Sequence, residues 1–501
     1  MKKYAHIFEA DLLRDLKGKT IHGGIYSLGS LGAVQILQFG SIIILARILL
    51  PEHFGLVSMV TALTGFAERF KHLGLSTATI QQKEITHEQV SMLFWINASV
   101  GVLITLVIAG LSQAVASFYG ETKLIAVTMA LSLPILFGAL SIQHEALLRR
   151  QMRFKALAGV QFAATLFSVV LAIVLAFEEF TYWALVWKEV ARAALDVVGK
   201  WIACRWWPSF VGFSSGVGSL LRVGRNILSA DTIYSASRSL DQLLLGKLAG
   251  AEALGFYRQA FQLMAVPMSQ LSSPVGSVAL PSLSALQDQP DRYRAYYKKL
   301  LNLLSFVTIP LTVYIAIFSE DIILVVLGSK WLDAAWILRI LALGAVIEPL
   351  FSTCGMVMIT QRNTKRLLLW TVMYATCLIL GFGVGIHWGA IGVAAGYTVA
   401  HYVLMIPSLW LSFKDTPLSL KLFFESIAVP AFFSSIMGIA LLILANETSS
   451  LQSISRLAVA LFIAGIVYGG LWLILPRVRD RLFSDVTSIL SALKPASSRG
   501  N

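Results

Sequence analysis

Apolar stretches long enough to cross a bilayer follow one another along almost the whole chain, and no other feature narrows its fold as much. They run at 25–46, 55–80, 90–115, 124–146, 156–177, 181–203, 223–245, 256–284, 300–318, 336–360, 367–387, 390–412, 422–445 and 456–475. A helix needs about 20 apolar residues to span the hydrocarbon layer. The pattern therefore predicts an all-α integral membrane protein with about fourteen transmembrane helices. The alternating pattern of a membrane β-barrel is absent. Segment 319–335 (EDIILVVLGSKWLDAAW) reads as an amphipathic or half-inserted piece. Composition points to the same solvent: of 501 residues 57% are hydrophobic and 13% charged, against roughly 25% charged in soluble domains.

Charge distribution orients the chain. The net charge of +13 is not a nucleic-acid footprint, because its cations collect in alternate loops. Lys83; Arg149, Arg150, Arg153 and Lys155; Lys200, Arg205, Arg222 and Arg225; Arg292, Arg294, Lys298 and Lys299; Arg362, Lys365 and Arg366; and Lys414 and Lys421 fall on one side. Only Arg47, Lys123, Lys247 and Lys330 fall on the other. By the positive-inside rule both termini are cytoplasmic. The first apolar run lies well inside the chain and is too long for a signal peptide's core. Cys204, Cys354 and Cys377 are scattered, with no CxxC, so neither a disulfide framework nor a metal site is expected.

Internal duplication organises the helices. ARILLPEHFG at 46–55 answers GKLAGAEALG at 246–255: Arg47 matches Lys247, Glu52 matches Glu252 and Gly55 matches Gly255. Each copy sits where one apolar run gives way to the next. RRQMRFKA at 149–156 answers ITQRNTKR at 359–366, and EFTYWALV at 179–186 answers HWGAIGVA at 387–394. Repeated halves in an apolar bundle are a transporter signature. The expected parts are a cytoplasmic amphipathic lead-in (1–24), a six-helix lobe (25–203), a cytoplasmic linker (204–222) with Pro208 and several Gly and Ser, and a second six-helix lobe (223–412). Two additional helices (413–475) and a cytoplasmic tail (476–501) follow. The last two helices have no counterpart in the repeat. Gly385 and Gly389, and Gly392 and Gly396, are GxxxG pairs that read as close helix packing. No strand precedes them, which removes the dinucleotide-loop reading.

Ionisable residues inside these runs are costly and usually mark a pathway. The second run carries Glu68, Arg69 and Lys71, and the fourth carries Glu145. The sixth carries Lys188, Glu189, Arg192 and Asp196, the seventh Arg238 and Asp241, the eighth Arg258, and the tenth Arg339 and Glu348. Lys188, Arg192 and Asp196, four apart, share one helix face, and Arg238 and Asp241, three apart, are neighbours on another. Basic walls would suit an anionic cargo, since guanidinium matches phosphate oxygens with a planar fork. Arg69, Arg238, Arg258, Lys188, Arg192 and Lys71 are the candidate anion-binding cations. Asp241, Glu68, Glu145 and Glu348 are candidate coupling or charge-pair acids. For each, a structural ion pair or snorkelling to an interface is the competing reading. No catalytic residue is expected. There is no Walker motif for ATP, and energy coupling to H+, Na+ or membrane potential is open.

The segment ARILLPEHFGLVSMVTALTGFAERFKHLGLSTATIQQKEITHEQVSMLFWIN resembles the opening of the polysaccharide transporter family, the Wzx- and WzxC-like flippases. The matching features are Ala46-Arg47 before Pro51 and Glu52, Phe54-Gly55-Leu56, Gly65-Phe66, Leu73-Gly74-Leu75, Ile80-Gln81, Glu84-Ile85-Thr86 and Phe94-Trp95. EALLRRQMRF (145–154), TYWALV (181–186), SRSLDQLLLGKLAGAEALGFYRQAFQLM (237–264) and GSKWLDAAWILRILAL (328–343) follow in order. The family often has Asp before the Leu-Gly-Leu of the second helix, where this chain has His72. The resemblance implies the multidrug/oligosaccharidyl-lipid/polysaccharide exporter superfamily, with two six-helix lobes in a V around a central cavity. It implies a bacterial inner-membrane flippase, not an enzyme, moving undecaprenyl-diphosphate-linked oligosaccharide for exopolysaccharide, capsule or O-antigen synthesis. Membrane lipid, a polysaccharide polymerase and chain-length machinery would be its partners, and nucleic acid would not. An ion-coupled small-molecule exporter of the multidrug type is the alternative on the same scaffold.

Overall fold

The computed structural model describes residues 16–71, 76, 79, 80, 82, 85–210 and 239–474, with the side chains of 16–28, 31, 66, 68–71 and 274 outside the description. The described residues are helical throughout, with no strand among them. Apolar surroundings explain this, since a helix satisfies its backbone N–H and C=O groups internally where water is absent. Eight segments among the described residues are long and apolar enough to cross a membrane. The chain is a multi-pass membrane protein.

Two compact units divide the chain at Gly255 and Phe256. The first contains α1 (Leu16–Ile48), α2 (Pro51–Lys71), α3 (His87–Gly110), α4 (Ser112–Tyr119), α5 (Leu124–Arg150), α6 (Phe154–Phe177) and α7 (Tyr182–Cys204). It ends with the first residues of α8 (Leu240–Ala285), a helix interrupted at Gly250, where φ is 86°. Pro51 opens α2 at the position where a missing N–H costs nothing. Thr86 caps α3: its hydroxyl accepts from Gln89 N at 3.2 Å while Gln89 Oε1 accepts from Thr86 N at 3.0 Å, a reciprocal box that satisfies two orphan donors. Helix α5 packs between α3 and α7, α6 lies against α7, and α1 lies against α6.

The second unit holds α9 (Pro290–Ile317), α10 (Ser319–Val326), α11 (Ala334–Ala345), α12 (Glu348–Thr360), α13 (Thr364–Gly385), α14 (Gly389–Phe413), α15 (Leu420–Glu447) and α16 (Ser453–Ile474). The apolar run 336–360, read as one helix from the sequence, is two. Proline 349 supplies no N–H and disfavours helix in the residue before it, so the run breaks after Ala345 and restarts at Glu348. Segment 319–335 forms α10 and a 3-10 turn at Ser329–Trp331. Helices α15 and α16 are fastened to α9 and α10. Tyr314 Oη donates to Leu457 O and Tyr468 Oη to Phe306 O, both at 2.9 Å, and Arg456 meets Asp321 at 3.0 Å.

The turns repeat in three dimensions. Gln151 and Gln361 each cap a helix, and Met152 (φ 56°) and Arg362 (φ 55°) follow them in the left-handed region. Their backbone bonds match one for one: Met152 N to Arg149 O and Arg362 N to Ile359 O are both 3.0 Å. Thr181 (φ 50°) and Gly389 (φ 64°) occupy equivalent caps, as do Gly120 (φ 78°) and Gly328 (φ 99°). Helix α4 is thus the counterpart of α10, although in sequence it simply continues the apolar run 90–115. The glycines of α13 and α14 pack across that hairpin, Gly385 on Gly392 and Gly381 on Gly396, backbone to backbone.

Candidate functional site

Helix α7 carries a stripe of charge through an otherwise apolar bundle. Lys188, Arg192, Asp196 and Lys200 recur every fourth residue, which keeps them on one side of the helix. From Lys188 to Lys200 the stripe rises about 18 Å.

Its lower end is an ion network. Lys200 is buried, with its side chain 5% exposed, and its Nζ lies 2.7 Å from Glu145 Oε2 on α5 and 2.6 Å from Asp196 Oδ2. Glu145 Oε1 in turn accepts from Arg149, at 2.7 Å from its Nη2 and 2.9 Å from its Nε. Two acids and two cations therefore neutralise one another between α5 and α7, which is what a low-dielectric site demands of buried charge. Lys200 entered the sequence reading as a cytoplasmic loop cation. Here it closes the network between two helices.

Higher on α7, Glu189 Oε2 holds Arg192 through Nη2 at 3.0 Å and Nε at 3.2 Å. Lys188 is half-buried; among the described residues no hydrogen bond or ion pair within bonding distance holds it, and Glu189 is the carboxylate beside it. The top of the stripe thus carries two cations beside one carboxylate, Glu189, among the described residues. An anion there would gain more from a partly desolvated cation than from one in water.

The remaining candidates are dispersed. Asp241 is buried at the start of α8, where its Oδ1 accepts from Gln242 N at 2.7 Å. Arg258 is half-buried farther along α8, in the second unit. Glu348 stands half-buried in the first turn of α12. Glu68, Arg69 and Lys71 belong to the last turns of α2, with side chains outside the described positions. Arg238 lies outside the described residues. The structure thus brings Glu145 together with Asp196, Lys200 and Arg149, and places Lys188 and Arg192 farther along the same stripe. Among the described residues there is no group of His, Cys, Asp and Glu fit to hold a metal ion.

A second cluster escaped the sequence reading. His87, at the start of α3, accepts from Trp206 Nε1 through Nδ1 at 2.9 Å and meets Ser209 Oγ through Nε2 at 2.8 Å. His144 lies stacked on Trp201 with centroids 4.3 Å apart and donates from Nε2 to Trp206 O at 3.1 Å. These bonds fasten residues 205–210 across the ends of α3, α5 and α7. The aromatic run CRWW was the only sequence signal.

Comparison with known proteins places this architecture. Residues 44–336 match the model of a family described as "Polysaccharide biosynthesis protein". The chain is 26% identical over 443 residues to the teichuronic acid biosynthesis protein TuaB of Bacillus subtilis, covering 87% of this chain and 90% of TuaB. It is 24% identical over 423 residues to the lipopolysaccharide biosynthesis protein WzxC of Escherichia coli, covering 81% and 85%. Among solved structures it is similar to the lipid II flippase MurJ in an inward closed conformation. That match has TM-score 0.72 and 15% identity, and covers 89% of this chain and 97% of MurJ.

Proposed function

The chain belongs to the polysaccharide biosynthesis protein family, and from that membership we propose that it is a flippase for undecaprenyl-diphosphate-linked oligosaccharide in the bacterial inner membrane. The observation that carries the reading is the upper stripe of α7. Among the described residues Lys188 has no hydrogen bond or ion pair that fixes its ammonium, and Arg192 meets Glu189, three residues away on its own helix. A diphosphate offers oxygens for both a point-charge ammonium and a forked guanidinium. Its arrival at Lys188 would offset a cation that shares one carboxylate with Arg192 among the described residues.

Alternating access would carry this site from one face of the membrane to the other by movement of repeat against repeat. Both termini stay cytoplasmic in this reading, and the sugar leaves on the periplasmic side for a polymerase and its chain-length machinery. The duplicated turns supply similar scaffolds. The charges that meet the cargo are not duplicated: Lys188 and Arg192 of α7 have no cationic counterparts in α14, whose matching stretch reads GYTVA.

A small-molecule exporter for cationic compounds would need acids free to meet them. Glu145, Glu189 and Asp196 are each engaged by Arg or Lys, which favours the anionic cargo. The test is replacement of Lys188. Lys188→Ala in the native host should lower surface polymer at least tenfold with unchanged protein level, and Lys188→Arg should restore most of it. Full export by Lys188→Ala would remove this residue from the site.

A further inference from the structure

The face of α7 opposite its charged stripe bears a groove that the flippase reading does not use. Val197, Val198, Trp201, Ile202, Arg205 and Trp207 line a cavity of about 470 Å³. Its walls are almost wholly carbon. Val198 and Ile202 are 54% and 67% exposed, and Trp207 is 63% exposed, so the groove is open along one side.

An unusual backbone turn builds its closed end. Arg205 sits at φ 54°, a left-handed conformation that costs a residue with a Cβ about 1 kcal/mol or more. Its N–H ends α7 by bonding Trp201 O at 2.9 Å. The turn sends successive tryptophans in opposite directions. Trp206 goes fully inside, against His87 and His144, and Trp207 goes outside, edge-on to Trp201 with centroids 4.9 Å apart. The exposed Arg205 guanidinium remains at the rim, and it makes no hydrogen bond or ion pair among the described residues. Arg153 stands at the same helix end, donating to Ala203 O at 2.9 Å. The acids of α7 are engaged on its other face by Arg192 and Lys200.

We propose that this groove is a binding site for an anionic phospholipid, with an acyl chain between Ile202 and Trp207 and the headgroup phosphate on Arg205. Three features select that occupant. The groove is lined by carbon and lies on a helix that the apolar run 181–203 assigns to the membrane, so it suits a largely apolar occupant. Its tryptophans lie where indole rings favour the level of the headgroups. Its cation, Arg205, unpaired among the described residues, lies at the end that the positive-inside pattern assigns to the cytoplasm, where basic sites between helices gather anionic lipid.

Native mass spectrometry of the purified full-length protein tests this, with phosphatidylglycerol, phosphatidylcholine and undecaprenyl phosphate offered in turn. Phosphatidylglycerol should be retained in preference to phosphatidylcholine. Arg205→Gln should weaken phosphatidylglycerol retention roughly fivefold and phosphatidylcholine retention less, because choline already offsets that lipid's phosphate, and an unchanged unfolding midpoint shows that the variant is folded. Val198→Trp, which fills the groove from its open side, should reduce retention of both. Equal retention of the two phospholipids, or no effect of Arg205→Gln, would overturn the proposal. Displacement of phosphatidylglycerol by undecaprenyl phosphate in the wild type would overturn it too, by giving the groove to the cargo.

Discussion

Gly55 and Gly255, the last residues of the two copies of one sequence motif, are packed reciprocally against each other's hairpin. A Cβ on Gly55 would strike the Ala251 carbonyl and come within 2.9 Å of the Ala251 Cα. A Cβ on Gly255 would strike the Pro51 carbonyl and lie 3.4 Å from Gly55 N. Pro51 and Ala251 are themselves equivalent positions of the motif. The contact is therefore two-fold in kind: each copy offers the same glycine to the same carbonyl of the other, as in an isologous interface. Nearby bonds keep the first copy in place, with Lys123 Nζ 3.4 Å from Glu52 Oε1 and Tyr119 Oη donating to Met59 O at 3.4 Å.

This geometry makes a sharp prediction for side chains at the two glycines. Gly55→Leu and Gly255→Leu should each lower stability by about 1–3 kcal/mol, the usual cost of forcing atoms into a packed contact. Gly65→Ala, at a position with open space around it, should leave the unfolding midpoint unchanged or slightly raised, since alanine is the better helix former. Thermal unfolding of the purified protein reads all three. Equal midpoints for Gly55→Leu and wild type would mean that the two copies do not touch as described.

The ion network predicts an asymmetry between its members. Lys200→Met leaves Glu145 and Asp196 without their shared cation, and breaking such a buried pair costs about 3–5 kcal/mol. Glu145→Gln should cost less, because Lys200 keeps Asp196 at 2.6 Å. The double variant should be less unstable than the sum of the two, with a coupling of about 0.5–3 kcal/mol. Denaturation of the four proteins measures the cycle.

A third prediction concerns the hairpin of α13 and α14. Gly396→Val would meet the Gly381 carbonyl, whereas Gly383→Ala meets nothing within 4 Å. The first should cut the yield of folded protein severalfold in membranes and the second should not. Fluorescence-detected size exclusion distinguishes them.

Much of this fold is legible in the sequence because the bilayer leaves few choices. Long apolar runs become helices, and the paired turns at 149–156 and 359–366 fold alike down to Met152 and Arg362. Other elements hide in composition. Helix α4 is apolar enough to merge with α3, and the break at 346–347 lies inside a continuous apolar run whose only warning is Pro349. The charged stripe of α7 was visible through its fourfold spacing. Its partner was not, because Glu145 and Lys200 meet across two helices at a sequence separation that no periodicity encodes. The groove beside Arg205 depends on one residue's backbone conformation, which sequence does not specify for an arginine.

The account stands or falls on the passage of lipid-linked sugar across the membrane. The direct measurement is the lipid-linked oligosaccharide pool in cells lacking the gene, with an impermeant reagent applied to spheroplasts to label only sugars on the outer leaflet. The account predicts that the pool rises and loses outer-leaflet labelling, that the wild-type gene restores both, and that the gene carrying Lys188→Ala does not. An unchanged pool with normal labelling in the deletion strain would contradict it.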